Sequence, residues 1–388
     1  MKGMILAAGK GTRVKPITYT IPKPMIPILG KPVMESMIQL FAAHGIDKIV
    51  VNTSHLAEVI ENYFGDGHHF NVQLSYSYEG EIRDGEFVSK ALGSAGGMRK
   101  IQDFSGFFDE TFVVVCGDAW IDLDLTEAMR RHKERGGIAT IITRDVDISE
   151  VSKYGVVVTN EHSQVTSFQE KPSINEALST QINTGIYIFE PAIFEFIPRG
   201  EEFDIGSQLF PLLVERKVPF YATNMSFQWL DVGNISDIWA VTKEILYGKV
   251  PGYPIPGTQM KPGVWVGINT VLNLDECKLK PPVIISSGCE VQSGSTIEGP
   301  AVIGANCKIE TGSVIVESLI SDYVQVCHDA YVDNKIVFGD YFISHDGYAQ
   351  SLTEMDAVHV LKDRRHVQPL AGFNGGNHLY LTKSDGAE

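Results

Sequence analysis

The strongest constraint on the fold of this 388-residue chain is a period of six in its last third. Branched aliphatic residues recur at every sixth position from Ile285 to Ile315, and after a slip of one residue the period continues from Ile320 to Phe338. Such a period is typical of a left-handed parallel β-helix, whose triangular coil takes three hexapeptides. The sequence therefore predicts a short solenoid over residues 264–340, with about three coils.

Residues 1–247 follow a different pattern, in which short apolar runs alternate with segments of helical periodicity. Runs such as 111–116 are rich in valine and nearly all apolar, as are strands of a parallel sheet that is covered on both faces. After residue 138 several strand-like segments follow one another closely, which indicates a second sheet region. The prediction is an α/β protein: a Rossmann-like domain with a mixed, mainly parallel sheet (1–247), a linker rich in Gly and Pro (248–263), the β-helix (264–340), and a C-terminal cap or tail (341–388).

Charge and cysteine content indicate which partners the protein can bind and in which cellular compartment it lies. The net charge is −16, so the surface repels nucleic-acid phosphate and anionic lipid at long range. No window approaches the roughly 20 apolar residues of a membrane span. The five cysteines form no CxxC pair, which predicts free thiols in a reducing compartment. We expect a cytoplasmic protein that binds neither nucleic acid nor membrane.

The segment 6–24, LAAGKGTRVKPITYTIPKP, is the strongest local signal for chemistry. An apolar strand runs into glycines, whose backbone N–H groups can approach phosphate oxygens closely. The spacing excludes a P-loop and a dinucleotide fingerprint, because Met4 and Val14 stand where those motifs need glycine. Two cations follow on a loop stiffened by proline: Arg13 offers a planar fork for phosphate oxygens, and Lys23 is a point charge between two prolines.

This segment resembles the nucleotide-binding motif of sugar-1-phosphate nucleotidylyltransferases, also called NDP-sugar pyrophosphorylases. Five further features of that family follow in its order: Gly117-Asp118, Tyr154-Gly155, Glu170-Lys171-Pro172, the strand Asn183-Thr184-Gly185-Ile186-Tyr187, and the turn formed by Trp229, Asp231 and Gly233. A β-helix after the catalytic domain is also common in the family. The pattern of the whole chain looks most like the cyanobacterial type of UDP-glucose pyrophosphorylase, which itself resembles GDP-mannose pyrophosphorylases.

The resemblance implies a reaction in which an NTP and a sugar 1-phosphate give an NDP-sugar and pyrophosphate. It implies that Asp118 and Asp231 hold Mg²⁺ against the NTP phosphates, which suits an ion that takes one or two carboxylates. Catalysis is assigned to Arg13, at the leaving pyrophosphate, and to Lys23, at the α-phosphate. The remaining roles are nucleotide binding by Ala8, Gly9, Gly11 and Thr12, and sugar-phosphate binding by Gly155, Glu170, Lys171, Asn183 and Thr184.

The base pocket leaves the nucleotide open between UTP and GTP. The resemblance implies contacts from Gly93 and Ser94, and from the residue at the end of strand 72–79, here Glu79. A carboxylate only accepts hydrogen bonds, which suits guanine, whereas the resemblance of the whole chain favours UTP with glucose 1-phosphate. The alternative is GTP with mannose 1-phosphate.

Two other functions remain open at this point. The first is a non-catalytic regulatory homologue, although such subunits typically lose a cation or an aspartate that this chain keeps. The second is an acyltransferase activity of the β-helix, which would need a histidine such as His328. We expect the β-helix instead to hold a homo-oligomer together.

Overall fold

The computed structural model describes residues 1–83, 86–355, 357 and 360–365. The chain divides into two compact units. The first contains residues 1–255 together with 344–349, and the second begins at Pro256. The predicted C-terminal cap or tail falls partly outside the described residues, because 366–388 are not among them.

The first unit alternates strands and helices. Its strands are β1 (Lys2–Leu6), β2 (Pro27–Ile28), β3 (Lys31–Pro32), β4 (Lys48–Thr53), β5 (Gln73–Tyr78), β6 (Gly80–Arg83), β7 (Glu86–Ser89), β8 (Phe112–Cys116), β9 (Ala119–Ile121), β10 (Ala139–Asp145), β11 (Gly155–Thr159), β12 (Val165–Glu170), β13 (Gln181–Phe189), β14 (Tyr221–Asn224) and β15 (Trp229–Asp231). Its α-helices are α1 (Val33–Ala43), α2 (Ala57–Phe64), α3 (Gly93–Ser105), α4 (Leu125–Arg135), α5 (Phe210–Glu215) and α6 (Ile235–Leu246). Short 3₁₀ turns lie at Thr12–Val14, Ile17–Tyr19, Lys23–Met25, His68–Phe70, Ile148–Lys153 and Pro191–Phe196, and a π-helical turn at Ile205–Leu209. No helix in the described ranges is long and apolar enough to cross a membrane.

A nine-stranded mixed sheet forms the centre of this unit. Its main path runs β12-β11-β13-β8-β1-β4-β5, and β10 joins β13 to β14. Strands β8, β1, β4 and β5 are parallel to one another, whereas β13 is antiparallel to β8. Apolar clusters lie against the sheet, and helix residues such as Met37 on α1 and Met98 on α3 are fully buried in them. The predicted Rossmann-like, mainly parallel sheet is confirmed.

The second unit is a parallel β-helix with three faces. The strands from residue 256 onward are β16 (Thr258–Lys261), β17 (Val264–Val266), β18 (Val271–Leu272), β19 (Lys278–Lys280), β20 (Val283–Ile285), β21 (Glu290–Val291), β22 (Thr296–Glu298), β23 (Ala301–Ile303), β24 (Lys308–Ile309), β25 (Val314–Val316), β26 (Leu319–Ile320), β27 (Val324–Val326), β28 (Tyr331–Asp333), β29 (Lys335–Phe338), β30 (Tyr341–Ser344), β31 (Ala349–Ser351) and β32 (Leu361–Asp363). Every third strand from β17 to β29 pairs in parallel with the next, which produces the three faces. Strand β16 falls within the segment that the sequence analysis interpreted as a linker.

The period-six residues form the interior columns of this β-helix. Ile285, Ile303 and Ile320 lie one above another and are almost fully buried. The coil length is not constant: Val264 pairs with Val283, nineteen residues on, whereas Val283 pairs with Ala301 after eighteen.

The coil then shortens again. Val302 pairs with Leu319 after seventeen residues, because one residue is missing at the corner formed by Glu317, whose φ is +42°. The predicted slip is therefore a shortened corner. Since the shorter coil persists, Val337 rather than the predicted Phe338 pairs with Ile320. Parallel pairing begins at Val264, the first residue of the predicted solenoid, and five strands from β17 to β29 stack on this face, so the coils number more than the predicted three.

Candidate active site

Three parallel strands of the first unit end in one row. Leu6, the last residue of β1, pairs with Asn52 on β4 and with Cys116 on β8. The loop after β1, the side chain of Asn52 and the pair Gly117-Asp118 therefore lie at the same edge of the sheet. Ligands of open α/β sheets bind at the carboxyl ends of the strands. This edge is the first candidate for the site.

The loop after β1 has the geometry that close approach of a phosphate requires. Gly11 adopts φ +59°, and a Cβ there would lie 2.9 Å from Cγ2 of Thr18, so no larger residue fits without strain. A Cβ at Gly9 would meet nothing within 4 Å, which leaves open space over the backbone. The Thr18 hydroxyl donates to the Gly11 carbonyl at 2.9 Å and holds the loop in this shape. The loop is rigid at Gly11 and open at Gly9.

The two predicted cations differ in burial. Arg13 is exposed on the 3₁₀ turn Thr12–Val14. Lys23 is only 9% exposed, and its ammonium forms an ion pair with the carboxylate of Asp118. Because Lys23 lies between two prolines, the backbone carries the ammonium to this position with little freedom. The structure thus brings together Lys23 and Asp118, which are 95 residues apart in the chain.

The two predicted metal aspartates lie where β9 pairs with β15: Asp118 directly precedes β9, and Asp231 is the last residue of β15. Asp231 pairs with Ala119 in the antiparallel β9–β15 ladder, and the N–H of Val232 donates to the carbonyl of Asp118 at 3.1 Å. Burial, and then the nearby Asp118 carboxylate, raise the pKa of Asp231 to about 6, although Lys23 and Arg13 oppose the shift. Two carboxylates are therefore held close to each other and to both cations.

Gly233 lies where these groups meet. A Cβ at this position would lie 3.0 Å from Oδ2 of Asp231 and 3.8 Å from Nη1 of Arg13. It would also lie 2.9 Å from Oδ2 of Asp237, which forms a capping box with Asn234 at the start of α6. The glycine of the Trp229–Gly233 turn therefore leaves room for the guanidinium and the carboxylate to approach each other.

Three of the predicted sugar-phosphate residues come together where β11 pairs with β12. Gly155 lies opposite Glu170, and a Cβ on Gly155 would lie 3.2 Å from Oε2 of that carboxylate. Lys171 adopts φ +47°, its N–H donates to the carbonyl of Tyr154, and its Nζ lies 3.4 Å from Oε1 of Glu170. Both charged side chains are about half exposed, so a bound ligand could reach them.

Two other predicted sugar-phosphate residues have internal partners. Nδ2 of Asn183 donates to the Tyr187 hydroxyl at 2.9 Å, and its Oδ1 accepts from the N–H of Gly185. The hydroxyl of Thr184 is buried and donates to the carbonyl of Ile142 at 2.7 Å. The Thr184 hydroxyl therefore stabilises the sheet, and the structure gives no support to a direct contact with a sugar phosphate.

The base-side residues Glu79 and Ser94 also turn inward. Glu79 is 2% exposed, and its carboxylate accepts from Nδ2 of Asn52 and from the N–H of Leu92. The hydroxyl of Ser94 donates to Asp204 at 2.8 Å and accepts from the N–H of Ile205. The contact with guanine for which Glu79 was considered has no support, because the side chain is buried against protein donors.

The predicted glycine of the base side has a structural reason to be glycine. Gly93 opens helix α3 with φ +70°, and a Cβ there would lie 2.5 Å from the carbonyl oxygen of Phe203. The segment at Phe203 is also tied to this turn by two backbone bonds, from Gly96 N–H to the Phe203 carbonyl and from Phe203 N–H to the Leu92 carbonyl. The turn at Gly93 is thus packed tightly from behind.

The sequence analysis missed two residues that organise this edge. The side chain of Asn52 forms hydrogen bonds with the backbone of Ala7 and with Glu79. The carboxylate of Asp204 accepts hydrogen bonds from the Ser94 hydroxyl and from the N–H of Ser207. Burial opposes ionisation of Asp204, but its hydrogen bonds, led by the Ser207 N–H, hold its pKa below the usual value. Asn52 could have been found, because it is a polar residue at the end of an apolar parallel strand. Asp204 has no comparable signal in the sequence.

Comparison with known proteins agrees with this arrangement. The sequence model described as nucleotidyl transferase matches residues 2–248, which is the part of the chain that carries all the residues above. The chain belongs to the nucleotidyl transferase family. The loop after β1 (residues 8–12, called the phosphate loop below), the two cations and the paired aspartates remain the predicted site of this nucleotidyl transferase.

Individual relatives extend the comparison to the β-helix. A UTP–glucose-1-phosphate uridylyltransferase from Synechocystis sp. is 52% identical over 366 residues, which is 94% of each chain. A mannose-1-phosphate guanylyltransferase from Mycobacterium tuberculosis is 29% identical and covers 76% of this chain and 78% of its own length. A crystal structure of a Bacillus anthracis protein assigned as a glucose-1-phosphate thymidylyltransferase superposes with a TM-score of 0.54 at 24% identity, over 67% of this chain and 98% of that one. The last comparison supports the fold alone.

Proposed function

We propose that this nucleotidyl transferase joins UTP and glucose 1-phosphate to give UDP-glucose and pyrophosphate. The observation that carries the proposal is the 52% identity with the Synechocystis uridylyltransferase over 94% of both chains. The site supports a catalytic role, since Arg13, Lys23, Asp118 and Asp231 are all present at one edge of the sheet. A regulatory subunit without activity would have no use for this set of charges.

The reaction explains why the site is built from charges. A phosphate oxygen of glucose 1-phosphate attacks the α-phosphorus of UTP, the bond from that phosphorus to the bridging oxygen breaks, and pyrophosphate leaves with the electron pair. Both reactants are anions, so catalysis consists mainly of positioning and charge stabilisation. Lys23 would stabilise the α-phosphate, and Arg13 the leaving pyrophosphate. No general base is needed, because the attacking phosphate is already a nucleophile.

The loop and the β11–β12 edge would bind the two substrates. Open space over Gly9 suits the triphosphate, with backbone groups of Ala8 to Thr12 as donors. Lys171 would bind the phosphate of glucose 1-phosphate and Glu170 would accept from sugar hydroxyls. The present contact between these two side chains is half exposed and therefore weak, so a bound sugar phosphate can replace it.

We propose Mg²⁺ as the cofactor, held by Asp118 and Asp231. The residues fit this ion, because burial and then the neighbouring Asp118 carboxylate raise the pKa of Asp231, and a divalent cation would stabilise both carboxylates in their charged form. Mg²⁺ characteristically takes one or two carboxylates and completes its coordination with phosphate oxygens and water. When bound, it would draw charge from the transferring phosphate groups. Without the ion, the ammonium of Lys23 balances the negative charge of the Asp118 carboxylate.

The first prediction tests the choice of substrates. In a matrix of UTP and GTP against glucose 1-phosphate and mannose 1-phosphate, followed by pyrophosphate release, we expect UTP with glucose 1-phosphate to have the highest kcat/KM. Its advantage over GTP with mannose 1-phosphate should be at least tenfold, about 1.4 kcal/mol of discrimination. The crossed pairs separate preference for the base from preference for the sugar. A tenfold advantage for GTP with mannose 1-phosphate would refute the proposal.

We further propose that residues 1–247 form the catalytic domain and that the β-helix (264–340) joins copies of the chain into a homo-oligomer. Several large apolar side chains of the second unit are exposed, and the most exposed are Ile268 (75%) and Val271 (69%). Val271 lies on β18, which begins one face of the β-helix. Exposed apolar residues beside a strand edge favour association. All five cysteines are free thiols, which supports a reducing compartment such as the cytoplasm.

The second prediction concerns this assembly. We expect light scattering at micromolar concentration to give a mass above that of one 42.7 kDa chain. The double variant Ile268→Glu with Val271→Glu should lower that mass. Phe104→Glu serves as the control, because Phe104 is 92% exposed in the first unit and its change should leave the mass unaltered. A monomeric wild-type protein would contradict the prediction.

A further inference from the structure

A buried chain of hydrogen bonds connects the phosphate loop with the turn at Gly93. The N–H of Ala7 donates to Oδ1 of Asn52 at 2.8 Å, and Nδ2 of Asn52 donates to Oε1 of Glu79 at 2.7 Å. Oε2 of Glu79 accepts from the N–H of Leu92 at 3.1 Å. Both side chains are almost completely buried, Asn52 at 3% and Glu79 at 2% exposure. We call Ala7, Asn52, Glu79 and Leu92 the relay.

The direction of every hydrogen bond in the relay is fixed. Its two ends are backbone N–H groups, which can only donate. Asn52 must therefore turn its oxygen to Ala7 and its nitrogen to Glu79, and residue 79 must accept on both sides. A carboxylate accepts with both oxygens, whereas an amide has one oxygen and one donor nitrogen. Glutamine at position 79 would leave two donors facing each other.

Helix α3 packs closely against the carboxylate of Glu79. A Cβ at Gly97 on α3 would lie 2.2 Å from Oε1 of Glu79 and 3.2 Å from Nδ2 of Asn52, so the helix packs directly on the relay. The backbone of Glu79 is held as well, since its N–H donates to Thr53 and its carbonyl accepts from Ser54 and Lys90. Three separate segments, namely 52–54, 90–92 and helix α3, thus converge on one residue.

We propose that Glu79 is a positioning residue that, through Asn52, sets the distance between the phosphate loop and the turn at Gly93 for the NTP that spans them. This inference rests on the proposed function, in which the loop binds the triphosphate, and on the contact with the base that the family resemblance implies for Gly93. Glu79 then governs how tightly an NTP is bound without choosing between bases. The choice lies with groups of the turn itself.

The third prediction follows from the fixed directions of these bonds. Asn52→Asp places a carboxylate against that of Glu79, and Glu79→Gln places a donor against Leu92 or against Asn52. Each single variant should raise KM for the preferred NTP about tenfold, since a buried donor or acceptor loses its partner. The double variant, Asn52→Asp with Glu79→Gln, restores every bond. The new carboxylate at position 52 accepts from Ala7 and from the new amide at position 79, and the oxygen of that amide accepts from Leu92. The KM of the double variant should return to within about threefold of wild type.

The measurements are steady-state kinetics with each substrate varied in turn, on the full-length chain. The NTP used is the one that wild type prefers in the substrate matrix. If the proposed substrate is wrong, the matrix shows it on wild type, and the test of Glu79 is unaffected. Glu35→Gln is the matched control. Glu35 is another buried carboxylate, 5% exposed, and accepts from Lys31, Gln39 and Tyr63 away from the relay. Its KM for the NTP should stay within twofold of wild type.

The outcomes separate positioning from its alternatives. Rescue of KM in the double variant, with the ratio of kcat/KM for UTP to that for GTP unchanged in all variants, supports the proposal. A Glu79→Gln variant that shifts this ratio more than tenfold would mean that Glu79 reads the base directly, and would overturn it. The proposal would also be overturned if the single variants keep the wild-type KM for the NTP, or if KM rises equally for the NTP and for the sugar 1-phosphate. A double variant whose KM is no lower than that of the worse single variant would overturn it as well.

Discussion

Asp231→Asn is expected to lower kcat by about 10³-fold, because the variant loses one of two carboxylates available to a metal ion that would supply several kcal/mol of charge stabilisation. The fold should survive. In the metal-free protein, burial and Asp118 already disfavour the charged form of Asp231, so the neutral amide removes an unfavourable interaction. We expect a thermal melt without added metal to give a Tm at or above that of wild type. Loss of activity with retained stability is the expected combination.

Asp124 provides the control for the Asp231 variant. Asp124 caps helix α4 and accepts from the N–H of Glu127, a position where asparagine serves equally well. Asp124→Asn should therefore keep kcat within twofold of wild type. Full activity of Asp231→Asn, or wild-type turnover in excess EDTA, would contradict a metal site at Asp118 and Asp231.

Lys23→Ala is expected to lower kcat about a hundredfold while KM for UTP changes less than threefold. Such a split indicates a charge that acts in the transition state more than in the bound substrate. The buried position of Lys23 favours this role, because an ammonium removed from water interacts more strongly with developing charge. Steady-state kinetics with UTP and glucose 1-phosphate varied separately would measure it.

Lys15→Ala is the matched control for Lys23→Ala. Lys15 lies on the same loop, but it is exposed and its ammonium lies over the ring of Tyr19. Its removal should change kcat less than threefold. If Lys23→Ala raises KM and leaves kcat unaltered, Lys23 only binds the NTP and the assigned role is wrong.

The β-helix could be predicted from the sequence because its core residues recur at a fixed interval. Ile297 and Ile315 face inward for the same reason that they recur, and both are fully buried. The first coil lies inside the predicted range but was not counted, because Leu272 and Leu279 are seven residues apart and a period of six does not include both. Val337 was missed because the coil had become shorter.

The candidate site could be predicted only in part, and the difference lies in sequence distance. Arg13 and Lys23 share one loop, in which glycines, prolines and cations together indicate phosphate binding. Asp118 follows a strand that is recognisable by itself. The partners of Ser94 and Glu79 come from other segments. Ser94 bonds to Asp204, 110 residues away, and Glu79 to Asn52 on a neighbouring strand. A polar residue next to a binding motif cannot be distinguished from one that supports it until those segments are brought together.

The eleven residues 80–90 give another case, because the family resemblance does not cover them and we call them the insertion. In the structure this insertion contains the hairpin β6–β7, whose strands pair antiparallel from Gly80 with Ser89 to Arg83 with Glu86. The hairpin brings the N–H of Lys90 back to the carbonyl of Glu79 at 3.1 Å. Since both its ends meet at one point, the insertion lengthens the chain without separating Glu79 from Gly93.

The unequal coils of the β-helix have a consequence for how the chain is wound. In a solenoid of identical coils, a rung that stacked one residue out of place would expose its apolar side chains, but a rung displaced by a whole coil would still match its neighbours. Here the spacing falls from nineteen residues to eighteen and then to seventeen, with the shortened corner at Glu317. A whole-coil displacement would bring that corner against a longer one and carry an isoleucine column out of line. The change in coil length therefore favours the observed stacking of the coils over one that is displaced by a whole coil across the shortened corner.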